Sequence, residues 1–138
     1  MTAIAPRSNE RKIVLVVEDA EAIRKLVCTT LSNHGYECLE AEDGAEALQM
    51  ITDGASDVDL VLTDMVMPRM GGKELSRHLS LVRPDIRIMF MSGYTEDPVI
   101  RDLEQNESLF LAKPFTSAVL TDKIRSALDR PWSGLPQR

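Results

Sequence analysis

The sequence lacks the features that mark several functional classes. Acidic residues outnumber basic ones by 22 to 16, and the formal net charge of −6 argues against non-specific binding to nucleic acid or to an anionic membrane. No apolar run approaches the length that spans a bilayer. The first residues lack the hydrophobic region of a secretory signal, so we expect a cytoplasmic protein.

Cysteine is scarce as well. The chain has two cysteines, Cys28 and Cys38, and they are not spaced like the close pairs of metal or redox motifs. In a reducing compartment we expect two reduced, half-buried thiols. The 138 residues, 43% of them hydrophobic, are of ordinary globular composition and suffice for one domain with a real core.

Short apolar runs alternate with helical patterns along the whole chain. The runs predict five strands, at residues 13–17, 36–41, 60–63, 86–91 and 109–112. Amphipathic spacing predicts five helices; the first buries Ile23, Leu26, Val27 and Leu31, and the fourth begins at Asp97 or Pro98. The third carries Leu75, Leu79 and Val82 on one face, which we expect to be buried. This alternation predicts a doubly wound α/β fold, with a parallel sheet covered by helices on both faces.

Polar residues follow four of the predicted strands, and in an open α/β sheet such strand ends share one edge, where ligands bind. They are Glu18 and Asp19 after the first strand, Asp64 after the third, Ser92 after the fourth and Lys113 after the fifth. Three carboxylates placed together repel one another, and Mg2+, which prefers oxygen ligands, relieves that repulsion. The set predicts phosphoryl transfer to Asp64 as nucleophile, assisted by Lys113 and Ser92.

These residues, together with Met67-Pro68, Gly72 and Lys113-Pro114-Phe115, resemble the receiver domain of two-component response regulators. The resemblance spans residues 12–128, and residues 90–95 are similar to receivers of hybrid histidine kinases. It implies a flavodoxin-like sheet of strand order 2-1-3-4-5. We therefore expect a flexible leader over residues 1–11, a receiver domain over 12–129 and a flexible tail over 130–138.

The resemblance also implies a role for each site residue. Asp64 would accept a phosphoryl group from a phosphohistidine of a partner kinase. Mg2+, or Mn2+ in its place, would be held by Asp19, Asp64 and the backbone carbonyl of Val66, with Glu18 acting directly or through water. Because the acceptor is consumed stoichiometrically, the protein would not be an enzyme.

Further implications concern switching and partners. Ser92 and Phe110 would form the switch, and the Lys113–Pro114 peptide would be cis. The upstream partner would be a histidine kinase, a hybrid kinase or a phosphotransfer protein. The downstream partner would be an unknown protein that meets the face of the fourth helix, fifth strand and last helix. We expect a monomer or weak dimer with no output domain and no nucleic-acid or membrane partner.

Two alternatives remain at this point. One is a degenerate receiver that acts by constitutive contacts without phosphorylation. The other is a flavodoxin-like binding module, although Glu18 and Asp19 would repel a flavin phosphate at the end of the first strand. For single residues, Asp64 could be a turn residue and Phe110, which stands where the family often has tyrosine, could be plain core.

Overall fold

A computed structural model describes residues 11–54, 57–93 and 110–134. These residues form five strands and four helices, labelled in chain order: β1 (Ile13–Val17), α1 (Glu21–Asn33), β2 (Glu37–Ala41), α2 (Gly44–Asp53), β3 (Leu60–Asp64), α3 (Gly72–Val82), β4 (Arg87–Ser92), β5 (Phe110–Ala112) and α4 (Ser117–Asp129). The helix predicted from Asp97 or Pro98 and nearly all of the predicted leader lie outside the described residues.

The strands form one parallel sheet in the order β2-β1-β3-β4-β5, which confirms the predicted topology. Every residue of β1 is buried, as expected of a strand covered on both faces. Asp64 is the last residue of β3 and pairs with Met91 of β4. None of the described helices is long and apolar enough to cross a membrane.

Alternate residues of each strand enter separate hydrophobic clusters, one on each face of the sheet. Leu15 and Val17 join the cluster under α2 and α3, whereas Val14 and Val16 join the cluster under α1 and α4. This division follows from the two-residue period of a strand. Both faces are thus covered, and the strand ends stay free to carry the polar residues.

Two apolar residues predicted to be buried are exposed instead. Leu26 of α1 is 64% exposed, because the inward face of this helix carries Arg24, Val27, Cys28 and Leu31. Spacing of apolar residues alone could not show that a charged residue takes one of the inward positions. Val82, at the last turn of α3, is also 51% exposed.

The two cysteines are free, as predicted, but Cys28 is buried and not half-buried, and the two thiols are not isolated from each other. Cys28 of α1 is buried and Cys38 of β2 is partly exposed. A hydrogen bond between the two thiols lowers the pKa of Cys28 and raises that of Cys38. The contact joins the first helix to the edge strand that it covers.

The described part of the predicted tail packs against the domain. The Trp132 indole packs against the cluster under α2 and α3, and its Nε1 donates to the Pro84 carbonyl at 3.0 Å. Arg87 at the start of β4 donates to the carbonyls of Ala127 and Arg130. These contacts join the end of α4 to the edge of the sheet opposite the polar strand ends.

Gly72, the first residue of α3, lies where the helix touches the end of β3. An added Cβ would overlap the Asp64 carbonyl oxygen and press on the Thr63 methyl. We predict that Gly72→Ala lowers the free energy of unfolding by about 1–3 kcal/mol, although alanine favours helices. Urea denaturation provides the measurement. Gly93→Ala, where a Cβ meets nothing within 4 Å, is the control; a Gly72 variant as stable as this control would contradict the prediction.

Candidate functional site

The carboxyl edge of the sheet brings the acids of the first and third strands together. Glu18 and Asp19 follow β1, and Asp64 ends β3, the strand next to β1. One carboxylate oxygen from each of the three residues lies within 4.8 Å of the others. The predicted grouping is therefore present in the structure.

Glu18 is the most enclosed of the three acids, with only 1% of its surface exposed. Its Oε1 accepts a hydrogen bond from Lys113 at 2.8 Å, and its Oε2 accepts one from the Ala20 amide at 3.1 Å. Asp19, in contrast, is exposed. Glu18 thus holds the lysine and the following turn, whereas Asp19 faces solvent.

Lys113 follows β5 and reaches back to both acids. Its Nζ lies 2.8 Å from Glu18 Oε1 and 3.4 Å from Asp64 Oδ1, and its peptide bond to Pro114 is cis, as the resemblance implies. Partial burial opposes the charge on Lys113, but the hydrogen bond with Glu18 and the charge of Asp64 outweigh it and raise the pKa of Lys113. The ammonium group is therefore firmly charged at neutral pH.

Asp64 is ionised less readily than an ordinary aspartate. Burial and the negative charge of Glu18 raise the pKa of Asp64 to about 6, against the opposing effects of Lys113 and of the Met65 amide. That amide donates to Asp64 Oδ1 at 3.0 Å. Lys113 and the Met65 amide thus lower the pKa of Asp64 by less than burial and Glu18 together raise it.

The predicted switch residues lie near the site but do not touch its acids through any contact that the described residues show. The Ser92 hydroxyl donates to the Gly93 carbonyl at 2.9 Å, and the Ser92 carbonyl accepts from the Lys113 amide. Phe110 is buried, and its ring packs against Phe90 with centroids 5.8 Å apart. This packing also fits the alternative of a core residue.

Val66 lies in the loop between β3 and α3 and is 74% exposed. Contacts with the start of α2 hold this loop. Asp43 is only 4% exposed, and its carboxylate accepts a hydrogen bond from Arg69 Nε at 2.6 Å. The Gly44 amide donates to the Met70 carbonyl. Arg69 has a φ of 66°, which a residue with a side chain rarely adopts, so the ion pair supports an unfavourable backbone conformation.

Sequence reasoning missed Asp43 and Arg24 as supports of the site. The spacing of Asp43 and Glu46 is typical of a helix N-cap, and the Asp43 side chain does accept from the Glu46 amide at 2.9 Å. That signal was available, whereas the partner Arg69 was not predictable from local sequence. Arg24 donates to the Glu18 carbonyl from the inward face of α1, and no local pattern indicates this contact.

The donor set fits a hard divalent cation. Carboxylate oxygens are the ligands that Mg2+ prefers, and it commonly uses one or two of them. Burial and, after it, the charge of Glu18 raise the pKa of Asp64 despite Lys113, so a cation beside Asp64 would favour its charged form. Asp19 and Asp64 are the residues best able to meet a cation, because Glu18 already holds Lys113 and Ala20.

The Asp43 contacts generate a prediction on stability and pH. Burial raises the pKa of Asp43, but the hydrogen bonds from Arg69 and from the Glu46 amide outweigh it and hold that pKa below its usual value. The stabilisation is thus fully present above the ordinary carboxyl pKa and is lost as pH falls through the lowered one. We expect Asp43→Asn to lower the free energy of unfolding by about 1–3 kcal/mol at pH 7, and by less below about pH 4.

Urea denaturation at both pH values measures this difference. Asp53→Asn is the matched control, because Asp53 is exposed at the other end of the same helix. A difference between Asp43→Asn and the wild type that stays constant with pH would show that the charge of Asp43 plays no part.

Comparison with known proteins agrees with this geometry. The family model described as the response regulator receiver domain matches residues 14–125. The sensor kinase CckA of Brucella abortus is 39% identical over 118 residues, which cover 85% of this chain but 12% of that kinase. This chain therefore corresponds to a small part of the kinase.

Two further relatives are of similar size to this chain. The response regulator receiver protein CpdR of Brucella abortus is 31% identical over 118 residues, covering 85% of this chain and 97% of that protein. The crystal structure of a CheY-like receiver domain protein from Methanospirillum hungatei superposes with a TM-score of 0.76 at 28% identity, covering 87% of this chain and 95% of that one. The family model, these relatives and the parallel sheet agree, and the chain belongs to the family of response regulator receiver domains.

Proposed function

We propose that this protein is a phosphoacceptor of a two-component or phosphorelay system and that Asp64 receives the phosphoryl group. The observation that carries the proposal is the cluster at the carboxyl edge, where Glu18, Asp19 and Asp64 meet and Lys113 bridges two of them. Membership of the receiver family supports it. The protein would be consumed stoichiometrically, in the cytoplasm, rather than act as an enzyme.

In the proposed reaction, a carboxylate oxygen of Asp64 attacks the phosphorus of a phosphohistidine. An oxygen–phosphorus bond forms while the nitrogen–phosphorus bond breaks, and its electron pair returns to the imidazole ring, which takes up a proton. Oδ1 already accepts from the Met65 amide and lies beside Lys113, so we assign the attack to Oδ2. Lys113 then lies close enough to pair with an oxygen of the transferred group.

The proposal includes a bound Mg2+ ion, or Mn2+ in its place. Asp19, Asp64 and the backbone carbonyl of Val66 would hold it, and Glu18 would act through water because both of its oxygens have other partners. When bound, the ion offsets the repulsion between the carboxylates and the oxygens of the phosphoryl group. One carboxylate oxygen from each of the three acids lies within 4.8 Å of the others, a spacing that suits a shared cation.

We also propose the partners. A histidine kinase, a hybrid kinase or a phosphotransfer protein would supply the phosphoryl group, and the output would be a contact with another protein. Its proposed surface includes Phe110 and the start of α4, beside a cavity of about 650 Å³ lined by Ser92, Phe110, Lys113 and Val119. The predicted fourth helix, which the resemblance assigns to the same face, lies outside the described part of the chain.

Removal of the acceptor tests the function directly. With acetyl phosphate and Mg2+, the wild type should gain the mass of one phosphoryl group, and Asp64→Asn should gain none because an amide is a poor nucleophile. Chelation with EDTA should also prevent labelling. Asp122→Asn, which removes an exposed carboxylate from α4, is the control and should be labelled normally. Unlabelled wild type, with this donor and with candidate kinases, would favour the degenerate receiver instead.

Replacement of Lys113 should slow phosphoryl transfer without weakening the binding of Mg2+. Lys113→Met removes the cation beside Asp64, so we expect the labelling rate to fall by roughly 10²-fold. Mg2+ binding, measured by isothermal titration calorimetry, should not weaken, because the cluster loses a positive charge. Lys73→Met, an exposed lysine of α3, controls for the loss of one charge. A weaker affinity for Mg2+ with unchanged transfer would contradict this assignment.

A further inference from the structure

Arg24 is a charged residue in a position that helix geometry would give to an apolar one. It shares the inward face of α1 with Val27, Cys28 and Leu31, and only 8% of its surface is exposed. A buried charge is unfavourable unless it is paired and hydrogen-bonded. Its contacts therefore indicate why an arginine occupies this position.

The guanidinium group of Arg24 has two partners, one on β2 and one in the turn after β1. Its Nε donates to Glu40 Oε1 of β2 at 2.9 Å, and one terminal nitrogen donates to the backbone carbonyl of Glu18 at 2.9 Å. The carbonyl belongs to the first residue after β1. Arg24 thus joins the start of α1, the end of β1 and the edge strand at one point.

The turn that carries the acid pair is also held by Lys113, which donates to Glu18 Oε1, and by the Arg24 amide, which donates to the Ala20 carbonyl. Ala20, the N-cap of α1, offers no side chain to cap the helix. The Glu18 amide donates to the Ala41 carbonyl, and Glu18 Oε2 accepts from the Ala20 amide. The remaining polar group of the Glu18 backbone, its carbonyl, is the one that Arg24 holds. Asp19 lies between Glu18 and Ala20, so its orientation depends on these contacts.

We propose that Arg24 is the positioning residue of the acid pair: its bond to the Glu18 carbonyl fixes the turn and so directs the Asp19 carboxylate toward Asp64. The inference rests on the proposed function for the identity of the ion. It assigns Arg24 a role that acts through the backbone and not through contact with the ion or with phosphorus. Glu40 keeps the guanidinium group in place from the other side.

The direction in which Mg2+ affinity changes when Arg24 is replaced distinguishes a positioning role from a purely electrostatic one. Loss of a positive charge near three acids should strengthen the binding of a cation. Loss of a positioning contact should weaken it, typically by 10–100-fold for groups that orient metal ligands. Lys25 provides the matched control, because it is exposed and pairs with the same Glu40 at 3.1 Å, while its contacts in the described part of the chain do not include the turn.

The experiment measures Mg2+ binding to the unphosphorylated protein by isothermal titration calorimetry. Arg24→Met should raise the dissociation constant by about 10-fold, and Arg24→Lys should also raise it, because an ammonium group lacks the planar fork that meets both partners. Lys25→Met should leave the constant unchanged or lower it. In labelling with acetyl phosphate, Arg24→Lys should need more Mg2+ for half the maximal rate, while the rate at saturating Mg2+ stays the same.

Each outcome is decisive. Circular dichroism and urea denaturation without Mg2+ identify a variant that fails to fold, and Arg24→Lys then provides the result in place of Arg24→Met. Unchanged or tighter Mg2+ binding by a folded Arg24 variant would overturn the positioning role and leave the proposed function intact. A wild type that binds Mg2+ but takes no phosphoryl group would overturn the proposed function alone. A wild type that binds no Mg2+ would overturn both.

Discussion

The repulsion between Glu18 and Asp64 is the constraint on which the rest of the structure depends. Two adjacent parallel strands, β1 and β3, end at the same edge of the sheet. Glu18, just after β1, and Asp64, at the end of β3, therefore lie close together although their charges repel. Burial penalises the charged form of Asp64, the negative charge of Glu18 adds to that penalty, and together they raise the pKa of Asp64 to about 6. The fully buried residues of β1 and most of β3 provide the stability that holds this unfavourable arrangement.

Each segment that carries a site residue is held by contacts outside the cluster. The turn after β1 is bound by Arg24, and the loop after β3 is bound by Asp43 and by the Gly44 amide. Gly72 lets α3 begin directly against the end of β3. Because these supports lie at the starts of three different helices, the geometry of the site belongs to the whole layer of loops and not to the acids alone.

The sequence predicted the features whose signal is local. An unbroken buried run identified β1, and the alternation of strands and helices identified the parallel sheet. Its register then placed Asp64 and Lys113 at one edge. The resemblance supplied the strand order and the cis peptide. Contacts between distant residues could not be predicted in this way, since Asp43 and Arg69 are 26 positions apart. The spacing of apolar residues also predicted that Leu26 is buried in α1, whereas Arg24 is buried and Leu26 is exposed.

Lys113 is the residue through which a change at Asp64 would reach the rest of the domain. Its side chain is shared between Glu18 and Asp64, and its amide donates to the Ser92 carbonyl, which ties the end of β5 to the end of β4. In the proposed function, a phosphoryl group on Asp64 would compete with Glu18 for the ammonium group, since it carries more charge than the carboxylate it replaces. Any shift of Lys113 would then act on the short strand that carries Phe110. We therefore expect such a shift to change the packing of Phe110 against Phe90 and the shape of the cavity beside Phe110.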